Sequence, residues 1–195
     1  MHSSWNRVST IFSHASTALM VLLGLVAATS YLTLPSVEPG NIEIKNVHVY
    51  VSLLEAYKPN EAASLRFDLD VDLRPLFTWN TKQLFVYLVV DYLDGPNTTL
   101  PSSSTGAGEG LVYSKRPGNE IVVWDRIVTR EREARLRIEA GKTKYTLRAV
   151  GKKFFGAEPF RARLMYNIMP WVGILSYGTA AESKTAMDWP RPKSV

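Results

Sequence analysis

From Ala15 to Leu34 the chain runs ASTALMVLLGLVAATSYLTL without one charged side chain; the flanking charges are Arg7 and Glu38. As a helix, about 20 such residues span about 30 Å, the thickness of a bilayer's hydrocarbon core. This segment decides where the remaining residues are displayed. Two readings compete for it. Ala27-Ala28-Thr29-Ser30 supplies the small residues of a cleavable signal peptide, but the apolar core of a signal normally covers about 7–15 residues. Leu32 and Leu34 continue the run past the small residues, so length favours an uncleaved anchor over 15–34. A buried helix of a soluble protein fits less well, because the segment is apolar on every face. Arg7 and the amino terminus precede it, whereas Glu38 follows it and Lys45 comes later. That bias keeps residues 1–14 cytosolic and sends the rest across. Pro35, Pro39 and Gly40 end the helix in a linker over 35–41.

Beyond the linker the hydrophobic period changes to two. Ile42, Ile44, Val47, Val49 and Val51 alternate with one slip near Asn46, which a bulge explains. Leu65, Phe67, Leu69, Val71 and Leu73 alternate strictly with Arg66, Asp68, Asp70 and Asp72, a strand with one core face and one acidic face. Gln83 to Leu93 is nearly continuous β-branched and aromatic sequence and reads as a central strand covered on both faces. Further strands are expected over 120–128, 134–139, 144–150, 161–168 and 172–177. Residues 94–118 lack periodicity and read as a long flexible loop. Seven or eight short strands predict an antiparallel β-sandwich over 42–180, and residues 181–195 read as an extended, partly loose tail. The fold class is therefore mainly β, one N-terminal transmembrane helix followed by this domain.

Chemistry is sparse. There is no cysteine, which removes thiol catalysis and cysteine-type metal sites. Of three histidines only His48 follows the anchor; it sits opposite valines on a strand, with no nucleophile elbow or orienting partner beside it. Asp68, Asp70 and Asp72 share a face at a spacing too splayed for one ion without help from loops. Pairing with Arg or Lys of a neighbouring strand accounts for them better. Arg126, Arg130, Arg132, Arg135 and Arg137 are interleaved with Glu131 and Glu133, a solvated edge rather than a phosphate site. Lys152-Lys153-Phe154-Phe155 is either a turn with core phenylalanines or a basic-aromatic patch. The net charge of +5 is thinly spread and gives no argument for nucleic acid. Asn97-Thr98-Thr99 is the only N-x-[ST] sequon and is the glycosylation candidate. No cofactor or metal is implied.

One set of motifs goes further. Leu76-Phe77-Thr78-Trp79-Asn80-Thr81-Lys82-Gln83-Leu84-Phe85 follows the aspartate-rich strand. Val123-Trp124-Asp125-Arg126-Ile127-Val128, Lys142-Thr143-Lys144-Tyr145 and Asn167-Ile168-Met169-Pro170 followed by Val172-Gly173-Ile174-Leu175 come after it in order. The combination strongly resembles the signal peptidase complex subunit 3 family, the third, non-catalytic subunits of eukaryotic signal peptidase complexes. The resemblance implies a single-pass protein of the endoplasmic reticulum membrane with a short cytosolic N-terminus and a lumenal domain. In the family that domain packs against the catalytic subunit, which carries the serine nucleophile, and the complex removes signal peptides from nascent secretory proteins. The catalytic subunit and other subunits of the complex are thus the expected partners, and this chain is expected not to be an enzyme. Phe77, Trp79, Leu84 and Phe85 are expected to anchor a turn to the core, with Asn80 and Gln83 satisfying backbone groups in it. Phe77, Trp79, Asn80, Lys82, Gln83, Trp124, Asp125, Asn167 and Pro170 are the structural or interface candidates. Some relatives carry a sequon just before the Asn-x-x-Pro segment, where this chain has Ala162-Arg163-Leu164-Met165, so Asn97 is not inherited from that pattern. The 94–118 loop is longer than in many relatives. A lumenal translocon-associated or cargo-binding sandwich with no role in cleavage is the competing function. As an anchor, this chain presents Ala27-Ala28-Thr29-Ser30 to the complex it joins and stays uncut; the extra apolar length is the proposed reason.

Overall fold

The structure is a computed structural model that describes residues 3–52, 60–92, 119–149, 153–154 and 156–192. It opens with α1 (Ser4–Leu32), whose first turn is capped by Ser3: the Ser3 hydroxyl oxygen accepts from the Trp5 N–H at 3.3 Å. None of its residues is buried, and it is long and apolar enough to cross a membrane. Several of its hydroxyls are satisfied within the helix. Ser16 donates to the Phe12 carbonyl at 2.9 Å, Thr17 to Ser13 at 3.0 Å and Thr29 to Leu25 at 2.9 Å. That suits a medium with no water to replace those bonds.

Eight strands follow among the described residues: β1 (Gly40–Ser52), β2 (Asn60–Asp72), β3 (Thr81–Tyr92), β4 (Asn119–Val128), β5 (Arg135–Lys142), β6 (Leu147–Arg148), β7 (Arg161–Pro170) and β8 (Ser176–Ser183). They form one sheet in the order β4-β3-β7-β8-β1-β2-β5, with β6 also on β2. Every pair is antiparallel except β1 with β8. The mainly β, antiparallel-rich expectation holds, but the layering differs from a two-sheet sandwich. Register shifts in β1–β2, β2–β5, β3–β4, β3–β7 and β7–β8 bend the sheet, as bulges do by adding local twist. Its two edges meet where the N–H groups of Lys144 and Tyr145 donate to the Val123 carbonyl at 2.9 and 3.0 Å. The result is nearly a barrel, a size at which inward side chains fill the interior.

The slip anticipated near Asn46 is a register shift between Ile44 and Asn46. Leu65, Phe67, Leu69, Val71 and Leu73 are all buried, as their alternation requires. The acidic face is paired: Asp68 with Lys45 on β1 at 3.5 Å, Asp70 with Arg137 on β5 at 3.2 Å, and Asp72 with Arg74. Residues 172–177 differ from the expected strand. The β7–β8 turn occupies 171–175, with Gly173 at φ +119°, and β8 begins only at Ser176. The tail, expected to be extended and partly loose, packs on the domain over its described residues 181–192, where its aromatic residue closes one end of the barrel. Ala181 and Ser183 are buried in β8, and Met187 exchanges backbone bonds with Phe160 at 2.9 and 3.0 Å. Trp189 is buried, stacked on Phe154 at 4.2 Å and tilted on Phe160 at 4.4 Å. Phe154 is therefore a core residue; Lys152 and Phe155 lie outside the described residues.

Candidate functional site

The chain leaves β2 through a single 3-10 turn, Arg74–Leu76, with Pro75 fixing its start. Leu76 is buried and Phe77 packs half-buried on the core. The Thr81 hydroxyl donates to the Leu76 carbonyl at 2.8 Å and accepts from the Thr78 N–H at 3.1 Å, which closes the turn. Asn80, only 3% exposed, reaches out of that turn. Its side-chain N–H donates to the Val172 carbonyl at 2.7 Å, and its side-chain oxygen accepts from the Val172 N–H at 3.2 Å. Its own carbonyl accepts from the Trp171 N–H at 2.8 Å. Asn80 thus braces the turn before β3 to the turn after β7, with Pro170 in register opposite Thr81. Lys82 places its ammonium 5.3 Å from the Trp171 ring centroid. The braced β7–β8 turn also meets α1, since a Cβ on Gly173 would stand 3.3 Å from Ala27.

Three expectations for this motif need correcting. Trp79 does not anchor the core; it is 68% exposed. Phe85 points outward, because Leu84, Val86, Leu88, Val90 and Tyr92 take the interior side of β3. Gln83 satisfies no backbone group among the described residues; its amide N–H is directed at the Met169 sulfur at 3.0 Å.

The motifs around Trp124 and Tyr145, distant in sequence, form one seam that closes the sheet. Trp124 is buried edge-on against Phe67, centroids 5.9 Å apart. Lys144 donates to the Asp125 carbonyl at 2.6 Å and lies 3.3 Å from its carboxylate. The ammonium is 5.9 Å from the Trp124 ring. A hydrogen bond to Asp125 holds the Tyr145 phenol above its ordinary pKa, since ionisation would put two anions together.

The outer face of β4-β3-β7-β8 carries an apolar band. Register aligns Ile127, Phe85, Asn167 and Tyr177 in one row, and Asp125, Tyr87, Met165 and Thr179 in the next. Phe85 and Tyr87 stack at 5.3 Å, while Ile127 and Tyr177 stand well exposed. In the centre, Asn167 is buried with its side-chain oxygen unpaired. An ionic band borders this patch. Arg163 pairs with Asp91 and, at 2.6 Å, with Glu120; Arg161 lies 3.7 Å from Glu182. Burial raises the pKa of Asp91 despite Arg163. Sequence reasoning named Asn167 but missed Ile127, Tyr87 and Tyr177. The inward alternation of β3 was the signal for Tyr87, whereas the other two needed the cross-strand register.

His48 is exposed on β1 beside Tyr50, ring centroids 5.9 Å apart. No group of three or more His, Cys, Asp or Glu that could hold a metal occurs among the described residues. Asn97 and the 94–118 loop lie outside the described residues.

A β domain carried on one long apolar helix, with an open apolar sheet face and a braced turn that meets that helix, has the features of an assembling membrane subunit. The comparisons give this class a family. A family model described as "Signal peptidase subunit" matches residues 1–99 and 112–191. The chain is 30% identical over 202 residues to "Signal peptidase complex subunit 3" of Yarrowia lipolytica, covering 98% of this chain and 99% of that protein. It is 32% identical over 180 residues to the protein of that name in Debaryomyces hansenii, with 87% and 85% covered. With the human protein of that name it shares 29% over 142 residues, with 73% and 67% covered. The chain belongs to the signal peptidase subunit family.

Proposed function

We propose that this chain is an accessory, non-catalytic subunit of the endoplasmic reticulum signal peptidase complex. It is held by α1 with the N-terminus cytosolic and the sheet domain lumenal. The domain stabilises and positions the catalytic subunit for removal of signal peptides, and contributes no acid, base or nucleophile of its own. The observation that carries this reading is the outer face of β3. Its sequence is written for cover on both faces, yet among the described residues only one is covered, leaving Phe85, Tyr87, Ile127 and Tyr177 around the unpaired Asn167 oxygen. Such a face is completed by a protein partner with a hydrogen-bond donor for Asn167. In this topology Asn97 faces the lumen and is a glycosylation acceptor. The cargo-binding alternative is not favoured, since family membership points to the peptidase assembly. Depleting the protein and following newly made secretory precursors tests the role. Precursors should accumulate with signal peptides attached, and re-expression of the intact chain should restore cleavage. Normal cleavage without the protein sinks the proposal.

A further inference from the structure

The β7–β8 turn carries apolar side chains that neither the fold nor the outer-face proposal uses. Trp171 is 67% and Ile174 75% exposed, and Leu175 is also open. Trp79, equally open, directly precedes Asn80, which braces this turn. An exposed tryptophan and isoleucine at the tip of a rigidly braced turn serve no purpose in water, and the bracing removes the option of folding them inward.

What lies beside the turn identifies its medium. Gly173 sits against Ala27 of α1. Leu76, Pro170 and Ile174 face Ala27, Tyr31 and Leu34 across a shallow cleft. The level of Ala27 in the bilayer is bounded from both sides. A span starting immediately after Arg7 is filled by about 20 residues, ending at Ala27 itself. A span over 15–34 places Ala27 about 10 Å inside its lumenal end at 1.5 Å per residue. In either register the side chains of the β7–β8 turn stand at or below the boundary between headgroups and acyl chains. Lys82 over the Trp171 ring completes an aromatic–cation pair of the kind that partitions to this layer, with the indole among the carbonyls and the ammonium toward phosphate.

We infer that the β7–β8 turn, with Trp171 and Ile174 at its tip and Trp79 and Lys82 beside it, is seated in the lumenal interfacial layer of the bilayer that α1 crosses. The inference rests on the proposed reading of α1 as a membrane span and adds a second, peripheral attachment. The domain is thereby fixed in height and tilt above the membrane, and Asn80 is what holds the attachment to the sheet.

The absence of cysteine makes the test direct. Trp171→Cys and Ile174→Cys are each nitroxide-labelled in the full chain, assembled in its complex and reconstituted in phosphatidylcholine vesicles. Collision with oxygen and with a water-soluble nickel chelate is then measured. Leu23→Cys within α1 and Arg148→Cys on β6, at the opposite end of β2 from the turn, serve as lipid and water references. The expected result is an oxygen-to-nickel ratio at 171 and 174 several-fold above that at 148 and approaching that at 23. Nickel-accessible labels at 171 and 174 beside a lipid-exposed Leu23 site overturn the inference and leave the span reading standing. Labels shielded from both reagents show a protein subunit on the turn and overturn it as well. A nickel-accessible Leu23 site removes the span reading and this inference together.

Discussion

Asn80 is the residue whose removal most sharply tests how the domain is tied together. It is almost completely buried and its side chain makes two hydrogen bonds to one residue, Val172, 92 positions along the chain. Asn80→Ala deletes both. Each is worth about 0.5–1.5 kcal/mol net, and the half-buried Val172 groups recover part of their loss from water. The main-chain bond from Trp171 to the Asn80 carbonyl survives the change. The sum is about 1–3 kcal/mol, or about 2–12 °C in Tm for a domain of this size. Asn80→Asp keeps the shape and the acceptor for the Val172 N–H, but turns a second acceptor toward the Val172 carbonyl. It should cost at least as much despite being isosteric. Near-UV circular dichroism of the full chain in detergent micelles is the assay, because α1 persists in micelles and dominates the far-UV signal. Amide exchange at Val172 should accelerate in both variants. If both melt within about 1 °C of the parent, the brace is not what secures the β7–β8 turn.

Other consequences are equally concrete. Trp189→Ala removes the aromatic plug between Phe154 and Phe160 and should cost about 3–5 kcal/mol, read as a Tm loss in the same assay; a loss below about 2 °C would mean that the segment is dispensable. Carboxyl NMR titration should find Asp72 ionising at about 2, held down first by its hydrogen bond from Arg74, and Asp91 above the ordinary carboxylate value because it is buried. The signs are opposite. The Asp72 contribution to stability is present above its unfolded value of 3.8 and is lost as pH falls through about 2; solvent screening limits it to about 0.2–1 kcal/mol. The Asp91 contribution is present below its unfolded value and is lost as pH rises through its raised folded value. Two ordinary titrations would contradict both assignments. N-terminal sequencing of the mature chain should find a start at or next to Met1; a start near Thr29 or Tyr31 would mean that α1 is removed.

Much of this architecture was legible in the residues because each β2 or β3 side chain must choose between two faces. The strict alternation from Leu65 to Leu73 could only be a strand with its aspartates outward, and the slip at Asn46 could only be absorbed by a bulge. What the alternation could not show is how many layers the strands make. Closure depends on Lys144 and Tyr145 meeting Val123, a pairing without a local signature. The same limit hid the outer patch. Phe85 and Tyr87 were legible as apolar, but their side of the sheet follows from the inward set around them, and Tyr177 joins them only through β7. The residue types of the candidate motif point to a turn, but they do not show that Trp79 faces outward.

Affinity purification of the full chain from microsomes solubilised in mild detergent tests the assembly most directly, with Ile127→Arg and Tyr177→Arg in parallel. Both replaced side chains are well exposed, so the variants should melt like the parent. The intact chain should bring down the signal peptidase catalytic subunit in stoichiometric amount, and the two variants should recover several-fold less. Recovery of the intact chain without a catalytic subunit would contradict the role, and undiminished recovery with both variants would contradict the surface assigned to it.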